Sequence, residues 1–223
     1  MTCCVGAFAS KGKAIICIAD KSVTYGEDIS GEGLGSKIVE LPSGVTVMIS
    51  GKDGESERYI NRLSKNMQLG KSLSASLAYC EEQYHITREE LLDIYVLKPA
   101  LMNTASLHEA SLVAQPNDFV KDVIREAKEF RLFCSLILCG FDEKGNSFIV
   151  NIDHPGVAND YSRVGFHAIG SGDSFALARL SCWSEIDINS PIDQVLFAVL
   201  DAKISSETNP FVGGEWDAIV ITQ

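Results

Sequence analysis

The chain opens on two apolar runs, Cys3 to Ala9 and Lys13 to Ala19, separated by Ser10-Lys11-Gly12, a spacing that predicts a β-hairpin. The second run is almost unbroken in its apolarity, which predicts a strand buried on both faces. Asp20 ends it with a carboxylate. Ser22 to Gly26 follows, and Glu27 to Gly35, rich in glycine and acid, reads as loop. Ser36 to Leu41 and Val45 to Ser50 read as two further strands joined by Pro42-Ser43-Gly44. Lys37 therefore falls at a strand start, as Asp20 falls at a strand end.

Beyond Ser50-Gly51 the hydrophobic period lengthens to that of a helix. Lys52 to Met67 carries Tyr59, Ile60, Leu63 and Met67 on one stripe, and Ser72 to about Ile94 carries Leu73, Leu77, Cys80 and Tyr84, continued by Leu91, Leu92, Ile94 and Leu97 toward Pro99. Leu101 to Gln115 reads as a short helix or a loop. Pro116-Asn117-Asp118 starts a helix striped by Phe119, Val120, Val123, Ile124 and Ala127. Strands return at Leu132 to Gly140 and Ser147 to Ile152, a hairpin across Asp142 to Gly145, and again at Val164 to Ile169. Gly170-Ser171-Gly172 breaks that strand, and Asp173 reads as the cap of a helix running to about Cys182. Ser190 and Pro191 predict the cap and first position of a helix reaching about Ser205, and Trp216 to Ile221 is the last strand. Strands and helices come in blocks rather than in βαβ alternation. The prediction is an α+β fold, a four-layer α-β-β-α sandwich with two stacked antiparallel sheets, as one domain over residues 1–223.

Composition narrows the function. Hydrophobic residues make up 46% and charged residues 22% of the 223, the balance of a soluble globular chain. A formal net charge of −11 without clustered Lys/Arg argues against a nucleic-acid partner. No run approaches the roughly 20 apolar residues of a membrane span, and the N-terminus lacks the basic-then-apolar pattern of a signal peptide. Seven cysteines, an odd number without a CxxC pair, point to a reducing, cytoplasmic setting, and Cys17, Cys134 and Cys139 lie in apolar runs as small hydrophobes. His85, His108, His154 and His167 show no metal-ligand spacing, so neither metal nor cofactor is expected.

Candidate chemistry begins at Thr2. Removal of Met1 would leave a threonine bearing a hydroxyl nucleophile and a free α-amine, and such an amine, with a pKa of about 7.7–8.0, can serve as the hydroxyl's general base. Taken alone, Thr2 is equally an ordinary second residue. Thr2, Asp20 and Lys37 fall at strand ends within the first block and can meet at one rim, where a Lys beside a nucleophile favours its deprotonated form. The same spacing suits a plain rim salt bridge. Gly51, at a strand-to-helix junction, can lend its N–H to an oxyanion or simply make a turn. Gly170-Ser171-Gly172-Asp173-Ser174 fits neither a GxxxxGK[ST] phosphate loop nor a GxSxG elbow. Gly31-Glu32-Gly33-Leu34-Gly35 has no following helix and an acidic flank, which excludes a dinucleotide loop.

In combination these stretches resemble the proteasome β-subunit and HslV family of N-terminal nucleophile (Ntn) hydrolases. The resemblance runs in order through Thr2-Cys3-Cys4-Val5-Gly6, Ile18-Ala19-Asp20-Lys21, Ser36-Lys37-Ile38, Ser50-Gly51, Leu138-Cys139-Gly140-Phe141-Asp142 and Ala168-Ile169-Gly170-Ser171-Gly172. It implies the same four-layer fold, with Thr2 as nucleophile, Asp20 and Lys37 as its charge pair, Gly51 as oxyanion donor and Ser171 as a hydroxyl near the terminal amine. It further implies a threonine endopeptidase acting on peptides or unfolded protein within a homo-oligomeric ring, served by an ATP-dependent unfoldase and matured by methionine removal alone. Three departures stand out: the first hairpin is longer than the family spacing, Asn209 and Val212 precede Gly213-Gly214 where proteasome subunits carry an Asp and a Ser, and the stretch from about Pro99 to Pro116 is longer than the family norm. A catalytically silent ring subunit and a small-molecule amidase are the competing readings.

Overall fold

Side-chain parity along the strands decides how the layers stack. The computed structural model describes residues 2–25, 29–31, 35–66, 72–113, 117–183 and 187–223. Met1, Glu32 to Leu34 of the glycine-rich stretch, Met67, Gln115 and Pro116 lie outside the described residues. In chain order the strands are β1 (Cys4–Ala9), β2 (Ala14–Asp20), β3 (Val23–Tyr25), β4 (Ile29–Gly31), β5 (Ile38–Glu40), β6 (Thr46–Gly51), β7 (Cys134–Phe141), β8 (Ser147–Asp153), β9 (Val157–Asp160), β10 (Phe166–Ile169) and β11 (Trp216–Thr222). The helices are α1 (Asp53–Asn66), α2 (Leu73–Leu92), α3 (Thr104–Ser111), α4 (Asp118–Glu129), α5 (Asp173–Cys182) and α6 (Ile192–Ser206), and α2 continues into a π-helical turn over Asp93–Leu97.

One sheet has the order β10-β1-β2-β11 and the other β5-β6-β7-β8-β9, with every pairing antiparallel. Successive side chains of a strand point to opposite faces. On β1 and β2, Cys4, Phe8, Ile15, Cys17 and Ala19 face the second sheet and pack on Met48, Ile137, Cys139 and Ile149. The alternate residues Cys3, Val5, Ala7, Ile16 and Ile18 pack on Ala176, Leu180, Val195, Val199 and Ala202 of α5 and α6. The second sheet uses the same device: its outward Val47, Leu136, Leu138 and Val150 meet Tyr59, Leu63, Cys80 and Tyr84 of α1 and α2. Three apolar interfaces thus hold the four layers expected from the block order of strands and helices. Burial on both faces also explains the unbroken apolarity of β2, all seven residues of which are buried.

The departures from expectation are local. Ile29–Gly31, read as loop, pairs with β3 as a short strand. The edge strand β9, Val-Ala-Asn-Asp, escapes the pattern because it is four residues long, largely exposed and without apolar–polar alternation. Leu101 to Gln115 contains the short helix α3, held by a capping box in which Asn103 and Ser106 bond each other's backbone N–H. Asp173 is not a cap: Gly172 takes that place and Asp173 is the first helical residue. Ser190 likewise yields the cap of α6 to Pro191, its own hydroxyl accepting from the Asp187 N–H in the preceding turn.

Candidate functional site

Strand register brings the sequence-selected residues to one rim. Cys4 pairs with Ala19 on one side and with Ile169 on the other, so Thr2, Asp20 and the Gly170-Ser171 turn emerge together where β1, β2 and β10 meet. The Asp20 N–H donates to the Cys3 carbonyl at 3.1 Å, extending the ladder by one residue. Lys37 arrives from the other sheet, just before β5, its carbonyl accepting from the Ile49 N–H at 3.0 Å.

Lys37 Nζ donates to Thr2 Oγ1 at 2.7 Å and to Asp20 Oδ1 at 3.1 Å. Asp20 is fully buried and Thr2 nearly so. A buried carboxylate is costly unless its lone pairs are filled. Here Oδ1 also accepts from the Cys3 N–H at 2.8 Å, while Oδ2 accepts from Ser22 N–H at 3.1 Å and Gly213 N–H at 3.3 Å. Four donors meet the four lone-pair sites a carboxylate offers. Lys37 is thereby fixed between an anion and the Thr2 hydroxyl, where its positive charge favours the alkoxide side of the hydroxyl's equilibrium.

Two glycines of the site adopt a backbone conformation that brings main chains into close contact. Gly170 has φ +104°, and a β-carbon there would collide with the Thr2 carbonyl oxygen. Gly51 has φ +137°, and a β-carbon would strike the Phe133 carbonyl oxygen. A side chain at Gly170 would displace the Thr2 main chain, and one at Gly51 the Phe133–Cys134 main chain. Ser171 Oγ lies 3.5 Å from the Thr2 carbonyl oxygen, and the Gly172 N–H donates to the same oxygen at 3.3 Å. Asn209 Nδ2 donates to the Ser171 carbonyl at 2.7 Å and so braces the Ser171 turn.

Thr2 and Gly51 border a cleft of about 320 Å³ with apolar walls from Val39, Ile49 and Ile60 and the acidic side chains Asp53 and Glu57 at its exposed edge. A second cleft of about 550 Å³ shares Gly51 and runs past Ser171 to His154 and His167. The thiols beside the site are inert. Burial pushes Cys3 up to about 11 and raises Cys4 well above the ordinary thiol value, so neither supplies a thiolate at neutral pH. Among the described residues, no group of three or more His, Cys, Asp and Glu is placed to hold a metal ion.

Lys203 was not singled out by sequence reasoning. It is fully buried on α6, where it lies in an i, i+4, i+8 series with Val195 and Val199. A lysine on an otherwise apolar stripe was the available signal.

Two stacked antiparallel sheets between helical layers, with the first strand's start at the rim of a cleft, define the Ntn-type fold, α+β in class. Among solved structures the chain is similar to eukaryotic HslV from Trypanosoma brucei, at TM-score 0.60 and 18% identity over 99% of both chains. It is also similar to Anbu, the ancestral β-subunit, from Yersinia bercovieri, at TM-score 0.67 and 14% identity over 99% of this chain and 81% of that one. The Anbu complex from Pseudomonas aeruginosa, a helical assembly, matches at TM-score 0.65 and 16% identity with the same coverage. No family model matches the sequence, and no curated protein matches it. At these identities the likeness is one of fold.

Proposed function

We propose that this protein is a threonine-type peptidase whose nucleophile is the Thr2 hydroxyl, exposed together with its α-amine when Met1 is removed. The observation that carries the reading is the Asp20–Lys37–Thr2 chain, with 3.1 Å and 2.7 Å links, at the edge of an open cleft. Thr2 Oγ1 attacks the scissile carbonyl carbon while the α-amine accepts its proton and Lys37 holds the oxygen by its ammonium. The carbonyl's π electrons move to oxygen, and the Gly51 N–H at the strand-to-helix junction stabilises that oxyanion. Collapse of the tetrahedral species breaks the C–N bond, and the amine's proton leaves with the departing amino group. Water then cleaves the acyl-enzyme ester, restoring Thr2. Ser171, which spans the Thr2 carbonyl and the Asn209-braced turn, keeps the terminal residue in place.

The apolar walls of the cleft suit an apolar stem, and Asp53 and Glu57 at its edge favour a basic tip, so a peptide with Lys or Arg before the scissile bond fits it best. Copies of the chain assemble with one another in this reading. Support comes from the helical assembly of the fold neighbour and from the exposed Leu101, Leu112, Val113 and Phe119 around α3 and the start of α4. The seven free cysteines suit a reducing compartment such as the cytoplasm, and folded substrates require an ATP-dependent unfoldase. Thr2→Ala tests the reading: hydrolysis of a fluorogenic peptide falls to background while circular dichroism and particle size stay as in the wild type. Undiminished turnover in that variant refutes it.

A further inference from the structure

Lys203 has no place in the chemistry above, yet it is a charged side chain with no exposure at all. Its ammonium uses three donors on three acceptors: Glu207 Oε1 at 2.5 Å, the Gly213 carbonyl at 2.6 Å and the Gly214 carbonyl at 3.2 Å. Two of those acceptors belong to the turn that leads into β11, opposite Asp20 in the ladder. The N–H of Gly213, the residue whose carbonyl Lys203 grips most closely, donates to Asp20 Oδ2. A glycine pair has more backbone freedom than any other dipeptide, so holding this N–H on target needs an external anchor. The neighbouring Val212 is buried and supplies shape but no polar contact to the turn's carbonyls.

We propose that Lys203 is a positioning residue for the nucleophile: by clamping the Gly213 and Gly214 carbonyls it aims the Gly213 N–H at Asp20, and through Asp20 sets the angle at which Lys37 meets Thr2. The chain of contacts runs from Lys203 to Gly213, Asp20, Lys37 and Thr2 Oγ1 through hydrogen bonds of 2.6, 3.3, 3.1 and 2.7 Å. Asp20 without its Gly213 donor has one oxygen held only by Ser22 and can rotate about its side-chain torsion, carrying Lys37 with it. A displacement of about 1 Å in a catalytic group costs up to about a hundredfold in rate. The clamp touches no residue of the substrate cleft, so binding is spared.

This inference rests on the peptidase reading, and its test separates the two. Lys203→Met keeps the stem and removes every donor. The expected result is a kcat lower by about tenfold or more with KM within about twofold of wild type, together with faster amide exchange at Gly213. Glu207→Gln removes the partly exposed ion pair but leaves both carbonyl contacts, and retains kcat. Should Lys203→Met fail to fold, Lys203→Gln, whose amide still donates, is read by the same assays and gives a smaller loss of kcat with the same constant KM. A wild-type kcat in the variant, or unchanged exchange at Gly213, overturns the proposal. If wild-type protein shows no Thr2-dependent turnover, the peptidase reading fails by itself, and exchange at Gly213 and at the other Asp20 donors, Cys3 and Ser22, still decides whether Lys203 positions Asp20.

Discussion

Asp20 is the residue on which the site's geometry turns, because it is fully buried and accepts from four donors. Asp20→Asn cannot satisfy them. With its amide nitrogen in place of Oδ2 it confronts the Ser22 and Gly213 N–H groups, and with the nitrogen in place of Oδ1 it confronts Cys3 N–H and the Lys37 ammonium. Either orientation leaves buried donors unpaired, so the variant loses about 2–4 kcal/mol of stability. Denaturant unfolding measures that loss, and peptide turnover falls with it; a variant of wild-type stability contradicts the hydrogen-bond assignment. At this scale the sequence was informative where a charged residue ended an apolar run, as at Asp20, and silent where several backbone N–H groups converge. Nothing in the residues from Ser22 to Gly213 announces that both donate to one carboxylate.

Elements with a strong period were legible. The continuous apolarity of β1 and β2 declares strands with a layer on each face, whereas the helical spacing of α2 and α4 declares one packed face each, Cys80 and Tyr84 on α2 and Val123 and Ala127 on α4, with Phe119 of the α4 stripe left exposed. Asn117 also marks the start of α4, its side chain accepting from the Val120 N–H at 2.9 Å. Short strands are not legible: β4 spans three residues and β9 four, too few for an apolar–polar period to show. Caps were misplaced by one residue where a glycine or proline took the boundary, because Gly172 and Pro191 hold the terminus by backbone geometry rather than by a side-chain bond. Lys203 shows the same limit from the other side. Its spacing places it on the buried stripe of α6, but two of its three acceptors, Gly213 and Gly214, lie ten and eleven residues downstream on a turn that only the folded chain brings back.

For the molecule as a whole, the second cleft carries a pH dependence. His167 is buried and stacked on Tyr161, with ring centroids 3.7 Å apart, and burial lowers its pKa from 6.5 to about 4 against the smaller opposing pull of Asp153. The unfolded chain therefore binds a proton on His167 between about pH 6.5 and 4 that the folded chain refuses, and stability falls as pH drops through that window. The contribution is at most about 3 kcal/mol. Unfolding midpoints measured from pH 7 to 4 in the wild type and in His167→Phe separate it from the carboxylates: the variant shows the shallower slope, and parallel slopes contradict the assignment.

The proposed chemistry requires that Thr2 carry both a reactive hydroxyl and a free amine. A peptide α′,β′-epoxyketone tests both at once, because its stable adduct closes a ring through the oxygen and the nitrogen of one residue. Intact-mass and peptide mapping of the treated protein should show a chain beginning at Thr2 and carrying one inhibitor on that residue. A chain that retains Met1, or a Thr2 left unmodified, would contradict the Thr2 chemistry and favour the catalytically silent reading.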